Sequence, residues 1–337
     1  VNGTAKTLKI TGDFMRKALL ASALLGLSIN AFGQSSTLLL VPAMSSKNEV
    51  PAAESSAQTS TLKSSTVINK KFEDDKDITD ARMKADSGSL SRFSLKFSLS
   101  YSGPPVGRLS DDKQPNPDGS VCACDTAFGG SFGTRFRFDS KSAVSLGTGV
   151  NMLTPFNSET RRYETKNPYI GYDRNGRVGD LQMRNGVSAT YVTNQTYRDI
   201  GEYAGIGYDT SLLYNIGTSR VGVGIDASFN YYLFDRGPNE KAKKELTTGR
   251  YSLGFYPQVK YAFSDKFSTY SSLALNFNNP RGTEDHSVLW NRTLSQRLGF
   301  GYAFTRDVYF APYFNFYPQT FTADSTTVNF ATTFSIL

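Results

Sequence analysis

"RFSLKFSLSYSG" runs from Arg92 to Gly103. Phe93, Leu95, Phe97, Leu99 and Tyr101 alternate with Ser94, Lys96, Ser98 and Ser100. A period of two describes a strand with one apolar and one polar face. In a water-soluble protein the apolar face would turn inward. In a membrane barrel the polar face turns inward and the apolar face meets lipid. The alternation alone does not choose between these, so the rest of the chain has to.

From Leu90 to Leu337 the same pattern keeps returning. "AFGGSFGTRFRF" sets Phe128, Phe132, Phe136 and Phe138 against Gly129, Gly133, Arg135 and Arg137. "VGVGIDASFNYYL" sets Val221, Val223, Ile225, Phe229 and Tyr231 against Gly222, Gly224, Asp226, Ser228 and Asn230. Such runs are about 11–15 residues long, whereas strands of globular proteins are usually about 5–6. Tilted strands that cross a bilayer need roughly 9–11, so length favours the membrane reading.

Composition agrees. Only 39% of the 337 residues are hydrophobic. No stretch approaches the roughly 18 apolar residues of a transmembrane helix, which excludes a helical membrane protein. Aromatic residues reach 13%, with 24 Phe, 19 Tyr and 29 Gly, a mixture that favours β-structure.

The beginning of the chain reads as an export signal. "MRKALLASALLGLSINAFGQ" starts at Met15 with Arg16 and Lys17, continues in a short apolar run, and offers Ala31-Phe32-Gly33 for cleavage. The expected organisation is an upstream extension outside the natural start over 1–14 and a signal peptide over 15–33. A flexible periplasmic segment follows over 34–89, then a barrel over 90–337. Within the flexible segment, "FEDDKDITDARMKAD" (Phe72–Asp86) suits a short helix with an acidic start. It reads either as a solvated tail or as a segment that tucks into the barrel. The net charge of +7, in an exported chain, points to a basic pore or a lipid-facing surface rather than to nucleic acid.

Connections alternate in length. "DSK" (139–141), "GTS" (217–219), "SDK" (264–266) and "TRD" (305–307) are tight turns. Long polar loops lie between them, such as "DRGPNEKAKKE". Short turns on one side and long loops on the other fit a membrane barrel. Both ends on one side require an even strand number. A short strand at "NPYIGYD" (167–173), turning at "RNG", brings the total to twelve, because Asn-Gly favours a hairpin. Pro257 and Pro312 fall inside strands and are expected at bulges. The fold class is therefore all-β: an antiparallel up-and-down transmembrane barrel of twelve strands.

The last strand, "TVNFATTFSIL", places Val328, Phe330, Phe334 and Ile336 at period two. With the alternation, the aromatic strand ends and the loop asymmetry, the chain from about 90 to 337 resembles Gram-negative outer-membrane β-barrels. Leu337 stands where such barrels usually end in Phe. The resemblance implies an outer-membrane location with both termini periplasmic. It also implies contact with outer-membrane lipid and lipopolysaccharide, and insertion by the outer-membrane assembly machinery.

The inward face carries the candidate site. Its cations are Arg92, Lys96, Arg135, Arg137, Arg250, Lys260 and Arg297, and its acids are Asp209 and Asp226. Tyr256 and Tyr313 point inward by register, as do Tyr203, Tyr270, Tyr309 and Tyr317, and glycines on neighbouring strands leave room for their rings. A basic lumen in a low-dielectric wall favours small polar or anionic solutes. The alternative is that Arg and Asp pair only to hold the barrel together. The leading function is a passive channel of porin type. The second is a structural or surface-interaction barrel with a filled lumen, and the third an outer-membrane hydrolase.

Other motifs carry less. "GVGIDA" (222–227) matches a nucleotide-binding glycine pattern, but strand periodicity accounts for it and no cofactor is expected. His286 is the only histidine, so a His-based zinc centre lacks ligands. A hydrolase would need His286, Ser287 and a carboxylate to converge. Cys122 and Cys124 in "VCACD" can close a disulfide in an oxidising compartment, or remain thiols.

Overall fold

The computed structural model describes residues 71–237, 249–281 and 285–336. The expectations for 1–14, for the signal peptide 15–33 and for 34–70 lie outside the described residues. The strands, in chain order, are β1 (Phe93–Pro105), β2 (Lys113–Pro115), β3 (Val121–Asp125), β4 (Ala127–Arg137) and β5 (Ser142–Leu153). They continue with β6 (Arg162–Val178), β7 (Leu181–Tyr191), β8 (Glu202–Asn215), β9 (Val221–Phe234) and β10 (Gly249–Ala262). Then come β11 (Phe267–Pro280), β12 (Trp290–Asn291), β13 (Ser295–Thr305), β14 (Val308–Phe316) and β15 (Thr327–Ile336).

Twelve of these strands form one closed antiparallel barrel. Each pairs with the next in sequence, apart from the small β2–β3 hairpin in the first loop and β12 on the end of β11. The ring closes where β15 returns to β1, from Leu95↔Ile336 to Ser102↔Asn329. Closure leaves no unpaired edge along the barrel.

The faces are those of a membrane barrel. Leu146 is 58% exposed, Ile170 53%, Val259 53% and Phe300 49%, whereas Arg135 is 2% exposed and Gln182 0%. Apolar side chains outside and polar ones inside invert the pattern of a soluble protein. On the outer face, aromatic rings meet across strands: Phe97 stacks on Phe334 at 5.2 Å and Phe93 meets Phe136 edge-on at 4.9 Å. Among the described residues no helix is long and apolar enough to cross a membrane.

Three local expectations need correction. Asn175-Gly176 is not a turn: it stays in the β6–β7 ladder, opposite Arg184 and Met183. The hairpin comes later, at Gly179-Asp180, where Gly179 has φ 59°, a conformation glycine takes without steric cost. β6 is therefore 17 residues long, not the short strand expected at 167–173. Pro257 and Pro312 cause no bulge. Pro257 keeps its register with Ile225, and Pro312 with Phe330. On the opposite side of each proline the ladder is interrupted and resumes unshifted, because proline lacks only the donor that would face that neighbour. Tyr203 is 40% exposed; a register shift between Glu202 and Ala204 breaks the alternation there.

Residues 71–91 enter and leave at the turn end of the barrel. Lys71 bridges Ser91, and the Phe72 N–H donates to Leu90 O at 2.9 Å. Between them lies helix α1 (Ala81–Ser87). Asp80 is its N-cap and accepts from Met83 N at 3.0 Å. The C-terminal end closes at Gly88, φ 72°. Ala85 packs on Ala303, Tyr309 and Ala311, while Ile78 and Met83 pack with Leu213. The segment thus touches opposite sides of the ring, and only the lumen allows that. The expected flexible segment, 34–89, is over its last part bonded to the inner wall instead. Apolar contacts on two helix faces and many charge-assisted hydrogen bonds supply the ordering free energy that a solvated tail lacks.

Candidate functional site

The lumen is built in layers around α1. At the C-terminal end of the helix, Lys96 Nζ donates to Asp86 O at 2.7 Å and Arg184 Nη2 to the same oxygen at 2.9 Å. Two cations on one terminal carbonyl complement the negative end of the helix. Behind them Asp173 on β6 pairs with Arg135, and its other oxygen lies 3.9 Å from Arg184. Asp173, Arg135 and Arg184 are all nearly fully buried. Charges so far from water persist only with such compensation.

Arg137 holds the chain where it leaves the helix. Its guanidinium donates to Ser87 O at 2.5 Å, Ser89 O at 3.0 Å and Ser140 O at 2.9 Å. Arg306 donates to Gly88 O at 2.7 Å and pairs with Asp74 at 2.9 Å, which also meets Lys84 at 3.2 Å. Lys141 pairs with Asp77 in the turn before β5.

The N-terminal end of the helix is fixed on β7, β9 and β10. Gln182 Oε1 accepts from Thr79 N at 2.7 Å and Asp80 N at 3.0 Å. Asp80 pairs with Lys260, and Arg82 reaches Asp226 at 3.1 Å. Burial opposes the charge of Asp80, but Lys260, the Met83 N–H and Arg82 hold its pKa below the ordinary value. Asp74 behaves alike: partial burial opposes ionisation, and Arg306 and Lys84 outweigh it.

From the level of α1 toward the loop end, the tyrosines lie over glycines, as their spacing suggests. Tyr309 covers Gly301, and Tyr270 and Tyr313 cover Gly299. Arg297 lies over the rings of Tyr313 at 5.4 Å and Tyr256 at 5.9 Å, and Tyr256 is held by Asn276 at 2.7 Å. Arg250 donates to Asn279 at 2.8 Å, and Asp209 is buried on β8.

Arg92, like Tyr203, is an expected lumen residue placed elsewhere. It precedes β1 at the rim, 5.2 Å from the ring of Phe136. Alternation assigns a face only within a strand, and β1 begins at Phe93. Cys122 and Cys124 are disulfide-bonded within β3, on the loop-end hairpin. Asp173, Gln182 and Arg184 are not among the expected lumen residues; the turn expected at "RNG" sets Asp173 at a strand end, whereas the ladder runs on through Asn175-Gly176. The polar and small run Gln182, Arg184, Gly186, Ser188, Thr190 was the available signal. Ser287 Oγ donates to Asp285 Oδ1 at 2.6 Å, and the backbone carbonyl of His286 accepts from Tyr251 at 2.6 Å. No Ser–His contact of a nucleophilic site is formed there among the described residues.

A closed barrel with an apolar exterior and a charged interior defines a class: the chain has the architecture of an outer-membrane β-barrel. No protein-family model matches the chain, and no curated protein sequence matches it. Solved structures similar to it include an outer membrane channel from Pseudomonas putida F1 (11% identity, TM-score 0.47, covering 74% of this chain and 98% of that one). The KdgM porin (8%, 0.37, 72% and 99%) and the Acinetobacter baumannii outer membrane protein Omp33 (13%, 0.36, 73% and 98%) are also similar. These likenesses are distant, and the fold rests on this chain's own strand pairing.

Proposed function

We propose that this protein is an outer-membrane channel for small polar or anionic solutes, closed from the periplasmic end by its own residues 71–91. One observation carries the reading. Lys96, Arg137, Arg184, Lys260 and Arg306 all bond to acceptors on that segment. A barrel that merely balanced its own wall would pair these cations with wall acids, as Arg135 does with Asp173. Here moving the segment would uncover a basic passage. The turn end is then periplasmic and the loop end external. The apolar exterior suits lipid, the loop end suits lipopolysaccharide, and insertion would fall to the outer-membrane assembly machinery.

The Arg135–Asp173 pair favours the second reading, a barrel filled for good. Planar-bilayer recording separates the two. The channel reading expects low basal current and larger, anion-selective current from Lys260→Ala combined with Arg306→Ala. If that variant folds and stays silent, the lumen is a structural filling.

A further inference from the structure

The cations of the inner wall differ in what compensates them. Lys96 and Arg184 bond to Asp86 O, and Arg135 to Asp173. Lys260 is paired with Asp80, Arg306 with Asp74, and Arg137 with three carbonyls of 87–89. Arg297 has neither a carboxylate nor a carbonyl among the described residues. Its Nε is buried without a hydrogen-bond partner, and its guanidinium lies against two tyrosine rings.

Its depth is read along β13. Arg297, Gly299, Gly301 and Ala303 share the inward face, and Ala303 is where Ala85 of α1 packs. Arg297 lies six residues from that contact toward the loop end, roughly 20 Å along the strand. The rings of Tyr309 and Tyr270, both packed at the Ala85 contact, reach up over Gly301 and Gly299. A solute entering from the loop end meets Arg297 before it meets the helix.

We infer that Arg297, set between Tyr256 and Tyr313, is a binding site for small organic carboxylates on the external side of the plug. The inference rests on the channel reading for the entry of solute, but not on the flow of current. The rings engage the guanidinium through their faces, an arrangement Lys reproduces poorly. Its Nε is buried behind them. The planar fork that remains matches the two oxygens of one carboxylate, and such charge-assisted pairs are strong where water is scarce. Asp226, beside Tyr256 on β9, pairs with Arg82 through Oδ2 at 3.1 Å and forms no ion pair with Arg297 among the described residues.

The test uses the full chain in detergent, with butyrate as the probe and 1-butanol as its neutral counterpart. Ligand-observed NMR should show saturable butyrate binding and none for butanol. Arg297→Gln should weaken butyrate by about tenfold or more, with Arg297→Lys intermediate. Arg250→Gln, another lumen cation, should leave binding unchanged. A shift in gel mobility on boiling certifies each barrel, and Arg297→Lys serves if Arg297→Gln does not fold. The inference is overturned if butyrate does not bind, if butanol binds equally, or if Arg297→Gln has no effect. It is also overturned if Arg250→Gln costs as much as Arg297→Gln, which would mean diffuse attraction. A barrel silent in bilayers that still binds butyrate sinks the channel and leaves this site; a conducting barrel that ignores butyrate does the reverse.

Discussion

Asp80 and Lys260 form an ion pair inside the barrel although 180 positions separate them in the chain. The same Asp80 carboxylate caps α1 through the Met83 N–H. One side chain therefore both starts the helix and fixes it to β10. A double-mutant cycle with Asp80→Ala and Lys260→Ala should give a coupling of about 1–3 kcal/mol, read from the open fraction in bilayers. Asp80→Ala should cost a further ~1 kcal/mol through the lost cap. Exchanging the charges, Asp80→Lys with Lys260→Asp, should recover part of the closure. Strict additivity of the single effects would show that the pair does not hold the segment.

Acid should loosen the segment, but only at low pH. Asp74 and Asp80 lie outside the membrane-spanning strands, and both have pKa values below the ordinary 3.8. A depressed pKa contributes stability that is fully present above the unfolded value and lost as pH falls through the folded one. Closure should therefore be constant from neutral pH down to about 5, then weaken from around pH 4 downward. Proteolytic access to 71–91 after brief acid exposure, or conductance against pH, measures this. A transition near pH 6 would contradict it.

Charge on the outer face should be costly, and charge on the inner face should not. Leu146→Arg places a cation on the lipid side near the middle of β5 and should destabilise by about 2–4 kcal/mol. Ser145→Arg, one residue away, faces the lumen and should cost much less. Urea unfolding of lipid-inserted protein, followed by gel mobility, compares them. Equal costs would reject the face assignment.

The disulfide should be dispensable to the barrel. Cys122 and Cys124 lie two residues apart in β3, outside the closed ring. Alkylation should label both only after reduction. Reduced protein should keep its heat-dependent mobility, with loss confined to order in the first loop. A barrel that unfolds on reduction would overturn this.

Much of the wall could be read from "RFSLKFSLSYSG" and its counterparts. A period of two fixes which side chains share a face, and the length and loop asymmetry say which face meets lipid. Phe93, Leu95, Phe132 and Leu146 lie outside for that reason, and Lys96 and Arg135 inside. The signal weakens where a strand is irregular. Asn175-Gly176 carries hairpin chemistry yet stays paired, because Leu181 and Val178 still have partners beyond it. Pro257 looks like a bulge but needs only one missing donor.

The sequence by itself determined the strands, their faces and the closed antiparallel order, since these follow from local alternation and from short turns between neighbours. It also marked Phe72–Asp86 as a short helix with an acidic start. Only the tertiary structure decided where that helix lies and which charges meet. Asp80 with Lys260 and Arg82 with Asp226 join the inner segment to the wall, Asp173 with Arg135 spans β5, and no local period encodes any of them. They form because a closed lumen brings distant side chains within reach and removes the water that would otherwise have solvated each one. Arg297 stands apart for the same reason: closure set it among tyrosines, with no ion pair among the described residues.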